Sequence, residues 1–171
     1  MPRPSWKEEL HRRLERPGKA RARPRLAVVG VGSEMRGDDV AGVLAARALM
    51  PLGGGSLLVL DAGPAPENVT GALHRFEPDF ILLIDAADVG EAPGAVCWIE
   101  GQEAEGISGA THSLPLSMLA RYLTEELGCE VALLGIQPHT ISLLTAAPSP
   151  EVRQAVEDIT EAISALYTDP T

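Results

Sequence analysis

Short apolar runs alternate along the chain with stretches where apolar residues return every third or fourth position. The runs 26–31, 56–60, 80–84 and 131–136 have the length of strands, and two of them stop at Asp61 and Asp85. Between them Val40, Val43, Leu44 and Ala48 share one helical face. Leu116, Leu119, Leu123 and Leu127 share another, which Gly128 stops. Residues 66–76 predict a helix opened by Pro66 and Glu67. Ser149-Pro150-Glu151 opens a last helix, with Val152, Val156, Ile159, Ile163 and Leu166 on one face. Residues 94–99 alternate and read as a short strand near an edge. Nearly pure apolar strands separated by helices predict a parallel sheet covered on both faces. The fold class is α/β, a three-layer α/β/α sandwich. In such sheets chemistry gathers beyond the carboxyl ends of the strands.

Composition narrows the picture. The chain has 171 residues, which is the size of one domain. No run of about 18 apolar residues exists, so stable membrane insertion is not expected. Cys97 and Cys129 are too few for a disulfide scaffold or a four-cysteine zinc site, and both read as buried thiols. Charge is unevenly placed. Residues 1–25 hold nine Lys and Arg against three Glu, whereas the remainder holds five Arg against 21 acids. The acidic remainder disfavours nucleic-acid binding. Residues 1–24 form a basic N-terminal arm or helix, and 25–171 a single α/β domain. Within the arm, 6–16 has a helical pattern that Pro17-Gly18 ends, so a short surface helix plus linker is expected. The arm lacks the apolar centre of a secretory signal, and the expected location is the cytoplasm.

Three places carry candidate chemistry. Gly30 and Gly32 follow the first strand, but the third glycine of a dinucleotide fingerprint would fall at Met35. Two carboxylates, Asp38 and Asp39, then open the helix and would repel a pyrophosphate. The glycines serve tight turns and close backbone approach instead. One carboxylate is enough to cap a helix, so Asp38 takes the capping role and Asp39 is left for other work. Asp85 ends the apolar run 80–84, where a carboxylate needs a hydrogen bond, a counter-charge or a metal. Asp61 ends its strand in the same way and is the weaker candidate, and Asp88 is expected to be exposed. His112 precedes a helix that Ser113 would cap, and a helix N-terminus favours the neutral, metal-binding imidazole. Of the other histidines, His11 lies in the arm, His74 on a helix surface and His139 in a loop. Asp39, Asp85 and His112 would make a site of two oxygens and one nitrogen with positions left open. Neither an H-E-x-x-H nor a G-x-S-x-G motif is present.

Five segments in order carry a resemblance. They are Gly30-x-Gly32-x(4)-Gly37-Asp38-Asp39, Asp61-Ala-Gly-Pro-Ala-Pro-Glu67-Asn68, Ile84-Asp85-Ala86, Thr111-His112-Ser-Leu-Pro-Leu116 and Gly135-Ile-Gln-Pro138. Together they resemble the nickel–iron hydrogenase maturation endopeptidases, most closely the branch acting on the hydrogenase 3 large subunit. The resemblance spans residues 25–166. It implies a phosphorylase/hydrolase-like fold whose five-stranded, mostly parallel sheet has one antiparallel strand, assigned to 94–99. It implies removal of a C-terminal peptide from the large-subunit precursor after nickel insertion. It also implies metal ligands at Asp39, Asp85 and His112, the trio that position alone suggests. Ser33 stands where the family often has Asn, and a serine can supply the same turn hydrogen bond.

Two mechanisms fit the trio. In the favoured one the trio recognises the precursor's own nickel, bound transiently, and Asp39 or Asp38 orients or deprotonates the attacking water. In the other the enzyme owns a divalent metal that activates water. The partner expected is the large-subunit precursor, and the protein is expected to act as a monomer. A non-proteolytic, metal-sensing chaperone for the immature subunit is the alternative function, and a small-molecule hydrolase a third.

Overall fold

The computed structural model describes residues 2–16, 23–104, 115–142, 144 and 148–168. Five strands, β1 (Leu26–Val31), β2 (Leu57–Gly63), β3 (Phe80–Ala86), β4 (Val96–Glu100) and β5 (Glu130–Ile136), form one sheet in the order β2-β1-β3-β5-β4. Four are parallel, and only β4 runs against its neighbour, pairing Val96 with Ile136 and Glu100 with Ala132. The central strands β1 and β3 are buried along their whole length, which is why they read as continuous apolar runs.

Successive side chains on a strand point to opposite faces, and that alternation divides the core in two. Leu26, Val28, Phe80, Leu82, Ile84, Ala132 and Leu134 pack on one side. They meet α1 (Trp6–Leu14), α2 (Ala41–Leu49) and α5 (Pro150–Tyr167) there. Ala27, Val29, Ile81, Leu83, Val131 and Leu133 pack on the other, against α3 (Thr70–Phe76) and α4 (Leu116–Leu127). The three-layer sandwich is the predicted one.

Four local expectations are corrected. Strand β2 continues through Asp61 to Gly63, and the register with β1 shifts at Gly30/Val31. The helix expected over 66–76 is a 3-10 turn, Pro66–Val69, followed by α3. The N-cap of α4 is Pro115, whereas the expected cap, Ser113, lies outside the described residues. Cys129 is buried as expected, but Cys97 is only half-buried on β4, where burial and then Glu91 push its thiol pKa up.

The arm also differs from a surface helix on a linker. Leu10 is 1% exposed and belongs to the core, with Trp6 and Leu14 packed beside it. Arg13 is ion-paired to Glu100 and Glu130 and lies over the rings of Phe80 and Trp98. The predicted stop at Pro17-Gly18 lies outside the described residues.

Candidate functional site

The chain leaves β1 through Gly32 and enters the 3-10 turn Gly37–Val40 that leads into α2. Helix α2 lies unusually close to the sheet. A Cβ on Gly30 would sit 2.2 Å from the Gly42 carbonyl oxygen. A Cβ on Gly42 would sit 1.9 Å from the Ile84 carbonyl oxygen and 2.4 Å from that of Val31. Real Cβ atoms do not approach backbone oxygens so closely, so both positions need glycine. The glycine pattern therefore serves strand–helix contact, in agreement with the sequence reading. This contact brings the first turn of α2 onto the carboxyl ends of β1 and β3.

Two predicted carboxylates are carried at this end of the sheet as a consequence. Asp39 lies one turn before Gly42, and Asp85 directly follows Ile84. Their burial is nearly complete, at 1% and 0% exposure. Asp39 Oδ2 accepts the Ser33 N–H at 3.0 Å, so the loop after β1 holds this carboxylate in place. His112 lies outside the described residues. Among the described residues no three His, Cys, Asp or Glu side chains gather into a metal cluster.

Asp38 does something other than cap its own helix. Neither the 3-10 turn nor α2 has a side-chain cap. The Asp38 carboxylate instead accepts the N–H of His139 at 2.7 Å, of Thr140 at 3.1 Å and of Ser149 at 2.6 Å, and the Ser149 hydroxyl at 3.0 Å. Its own N–H donates to the Thr140 carbonyl. Asp38 is thus a buried clamp on the segment between β5 and α5, and Ser149, the N-cap residue of α5, is one of its partners. Four accepted hydrogen bonds occupy the directions an aspartate offers.

The remaining candidates fall where the sequence reading ranked them. Asp61 pairs with Arg47 at 2.8 Å and accepts the Gly63 N–H. Asp61 and then Glu34 hold the Arg47 pKa above its ordinary value. Asp88, His74 and His139 are exposed. Sequence reasoning gave Gln137 no role, although its motif was noted. Its Oε1 accepts the N–H groups of Val89 and Glu91, tying down the loop that follows Asp85. A buried amide beside a proline, directly after a strand, was the available signal.

Two buried carboxylates fixed to rigid elements at the open end of a parallel sheet can bind a cation or orient a water molecule. A family model described as hydrogenase maturation protease matches residues 42–166. The chain is 38% identical over 130 residues to a hydrogenase 3 maturation protease of Escherichia coli K12, covering 75% of this chain and 82% of the relative. It is 34% identical to a putative hydrogenase maturation protease of Methanocaldococcus jannaschii, covering 68% of this chain and 74% of that one. The crystal structure of the NiFe hydrogenase maturation protease HycI from Thermococcus kodakarensis superposes with a TM-score of 0.77 at 31% identity. That match covers 85% of this chain and 94% of the other.

Proposed function

The chain belongs to the hydrogenase maturation protease family and is an endopeptidase, and on that premise we propose that it removes the C-terminal peptide of a nickel–iron hydrogenase large-subunit precursor after nickel insertion. The observation that carries the proposal is the pair of buried carboxylates, Asp39 and Asp85, at the carboxyl end of the sheet. Carboxylates held on rigid elements at this end of the sheet are oxygen donors suited to a divalent cation. The nickel already seated in the precursor is a cation that arrives only with the correct substrate. Asp39, Asp85 and His112 are the residues proposed to meet it, since carboxylate and imidazole suit a borderline divalent ion.

The chemistry is hydrolysis. A water oxygen bonds to the scissile carbonyl carbon, the C–N bond breaks, and the water's proton passes by way of a carboxylate to the leaving amine. Asp39 is the residue proposed to take that proton. The sequence also admitted Asp38, but its hydrogen bonds to His139, Thr140 and Ser149 give it the clamping task. The protein is proposed to work in the cytoplasm as a monomer. Among the described residues no helix is long and apolar enough to cross a membrane.

Intact-mass measurement on nickel-loaded and nickel-free precursor, each mixed with the purified protein, tests the proposal. Loss of a C-terminal peptide from the loaded form alone is the expected result. Cleavage of both forms would remove the precursor's nickel from the recognition step. A stable complex without cleavage would favour the chaperone function.

A further inference from the structure

Two large apolar side chains stand in water on the segments that follow β1 and β5. Met35 is 58% exposed and Leu144 is 74% exposed. The Leu144 N–H donates to the Met35 carbonyl at 2.7 Å, so the two positions are joined. Met35 lies two residues beyond Ser33, whose N–H holds Asp39. Leu144 lies in the segment that Asp38 ties down at His139, Thr140 and Ser149. Both residues therefore stand on segments that leave the carboxyl ends of β1 and β5, the end of the sheet that carries Asp39 and Asp85. Neither belongs to a core cluster among the described residues.

The backbone at Leu144 adds a second observation. Its φ is +61°, in the left-handed region that glycine and asparagine enter far more readily than leucine. A leucine held there with its side chain in solvent is unfavourable on both counts, and such outliers collect at ligand clamps. Among the described residues no core cluster includes it. An endopeptidase must lay a peptide across its catalytic carboxylates, so the occupant of an apolar rim at the same end of the sheet is the substrate chain.

We infer that Met35 and Leu144 form an apolar rim that grips an apolar side chain of the precursor's extended tail beside the scissile bond. The rim selects by hydrophobic contact. Met35 has an unbranched, adaptable side chain, which suits a surface that closes around its ligand. The inference rests on the C-terminal processing proposed above.

Steady-state cleavage of the nickel-loaded precursor is measured with Met35→Ser, Leu144→Asn and the conservative Met35→Leu. Asparagine accepts the left-handed backbone, so Leu144→Asn removes the apolar group without adding strain. Each polar variant is expected to raise KM about tenfold, the scale set by losing one buried apolar side chain. Their kcat should stay within about twofold, Met35→Leu should keep the wild-type KM, and no melting temperature should fall. Wild-type KM in both polar variants would overturn the rim and leave the proposed function standing. If the wild-type protein releases no peptide, the proposed function fails, and titration with the same precursor decides the rim. Tenfold weaker binding by the polar variants would support it, and equal or absent binding would overturn it.

Discussion

Asp38 and Asp39 are adjacent in the chain, equally buried and chemically identical, yet their surroundings assign them different work. Asp38 faces three backbone N–H groups and a hydroxyl from a segment more than a hundred residues away. Asp39 faces its own loop and the end of β1. Substituting each by asparagine separates the two roles. In Asp38→Asn an amide replaces one accepting oxygen, so buried donors meet a donor. Each unsatisfied buried group costs about 1–3 kcal/mol, and a fall in melting temperature of about 2–12 °C is expected. Asp39→Asn keeps the size and can keep the acceptor for Ser33. Its stability should stay near wild type, while cleavage of nickel-loaded precursor falls about a hundredfold or more through loss of the proton acceptor. Thermal melts and cleavage rates on both proteins check the pair. A stable Asp38→Asn, or an Asp39→Asn that cleaves at the wild-type rate, would reverse the assignment.

Helix α2 couples fold to site because its first turn touches two strand ends. Gly42→Ala would push a methyl carbon to within 1.9 Å of the Ile84 carbonyl oxygen, which is backbone and cannot rotate away. The helix must shift outward and carry the turn with Asp39 along. A loss of about 1–3 kcal/mol or more is expected from such overpacking, together with a fall in cleavage rate greater than the loss of folded protein explains. Denaturant unfolding and single-turnover cleavage on the same sample would show both, and a variant as stable and active as wild type would refute the coupling. The same contact explains what was legible in the sequence. Asp85 could be found because it ends a pure apolar run, and apolar runs report burial directly. Asp39 could be found because one carboxylate more than a cap requires was present. The partners of Asp38 could not be found, since His139 and Ser149 reach it only through the tertiary path of β5 and α5. The direction of β4 was equally hidden. Alternation marks an edge strand but carries no sign for parallel or antiparallel, so that assignment came from the resemblance and not from the residues.

At the scale of the whole molecule, the two ends of the sheet divide the labour. The carboxyl ends of the parallel strands carry Asp39 and Asp85. The opposite end is fastened by α1, for which the sequence predicted a short surface helix on a linker. Its last turn is instead ion-paired to the sheet. Arg13 binds Glu100 at the end of β4 and Glu130 at the start of β5, and Arg16 also reaches Glu130. Those glutamates are about half exposed, so the pairs contribute little, and the docking energy lies in Leu10 and the rings beneath Arg13. Leu10→Ala should therefore cost about 2–5 kcal/mol, the range for truncating a buried leucine. For a domain of this length that lowers the melting temperature by about 4–20 °C. At a temperature where the variant remains folded, KM and kcat for the precursor should equal those of the wild type, because the ion pairs of Arg13 and Arg16 lie at Glu100 and Glu130, at the other end of the sheet from Asp39 and Asp85. A rise in KM without loss of stability would instead make the arm part of the substrate-binding surface, and its arginines would then have to leave Glu100 and Glu130 to act there.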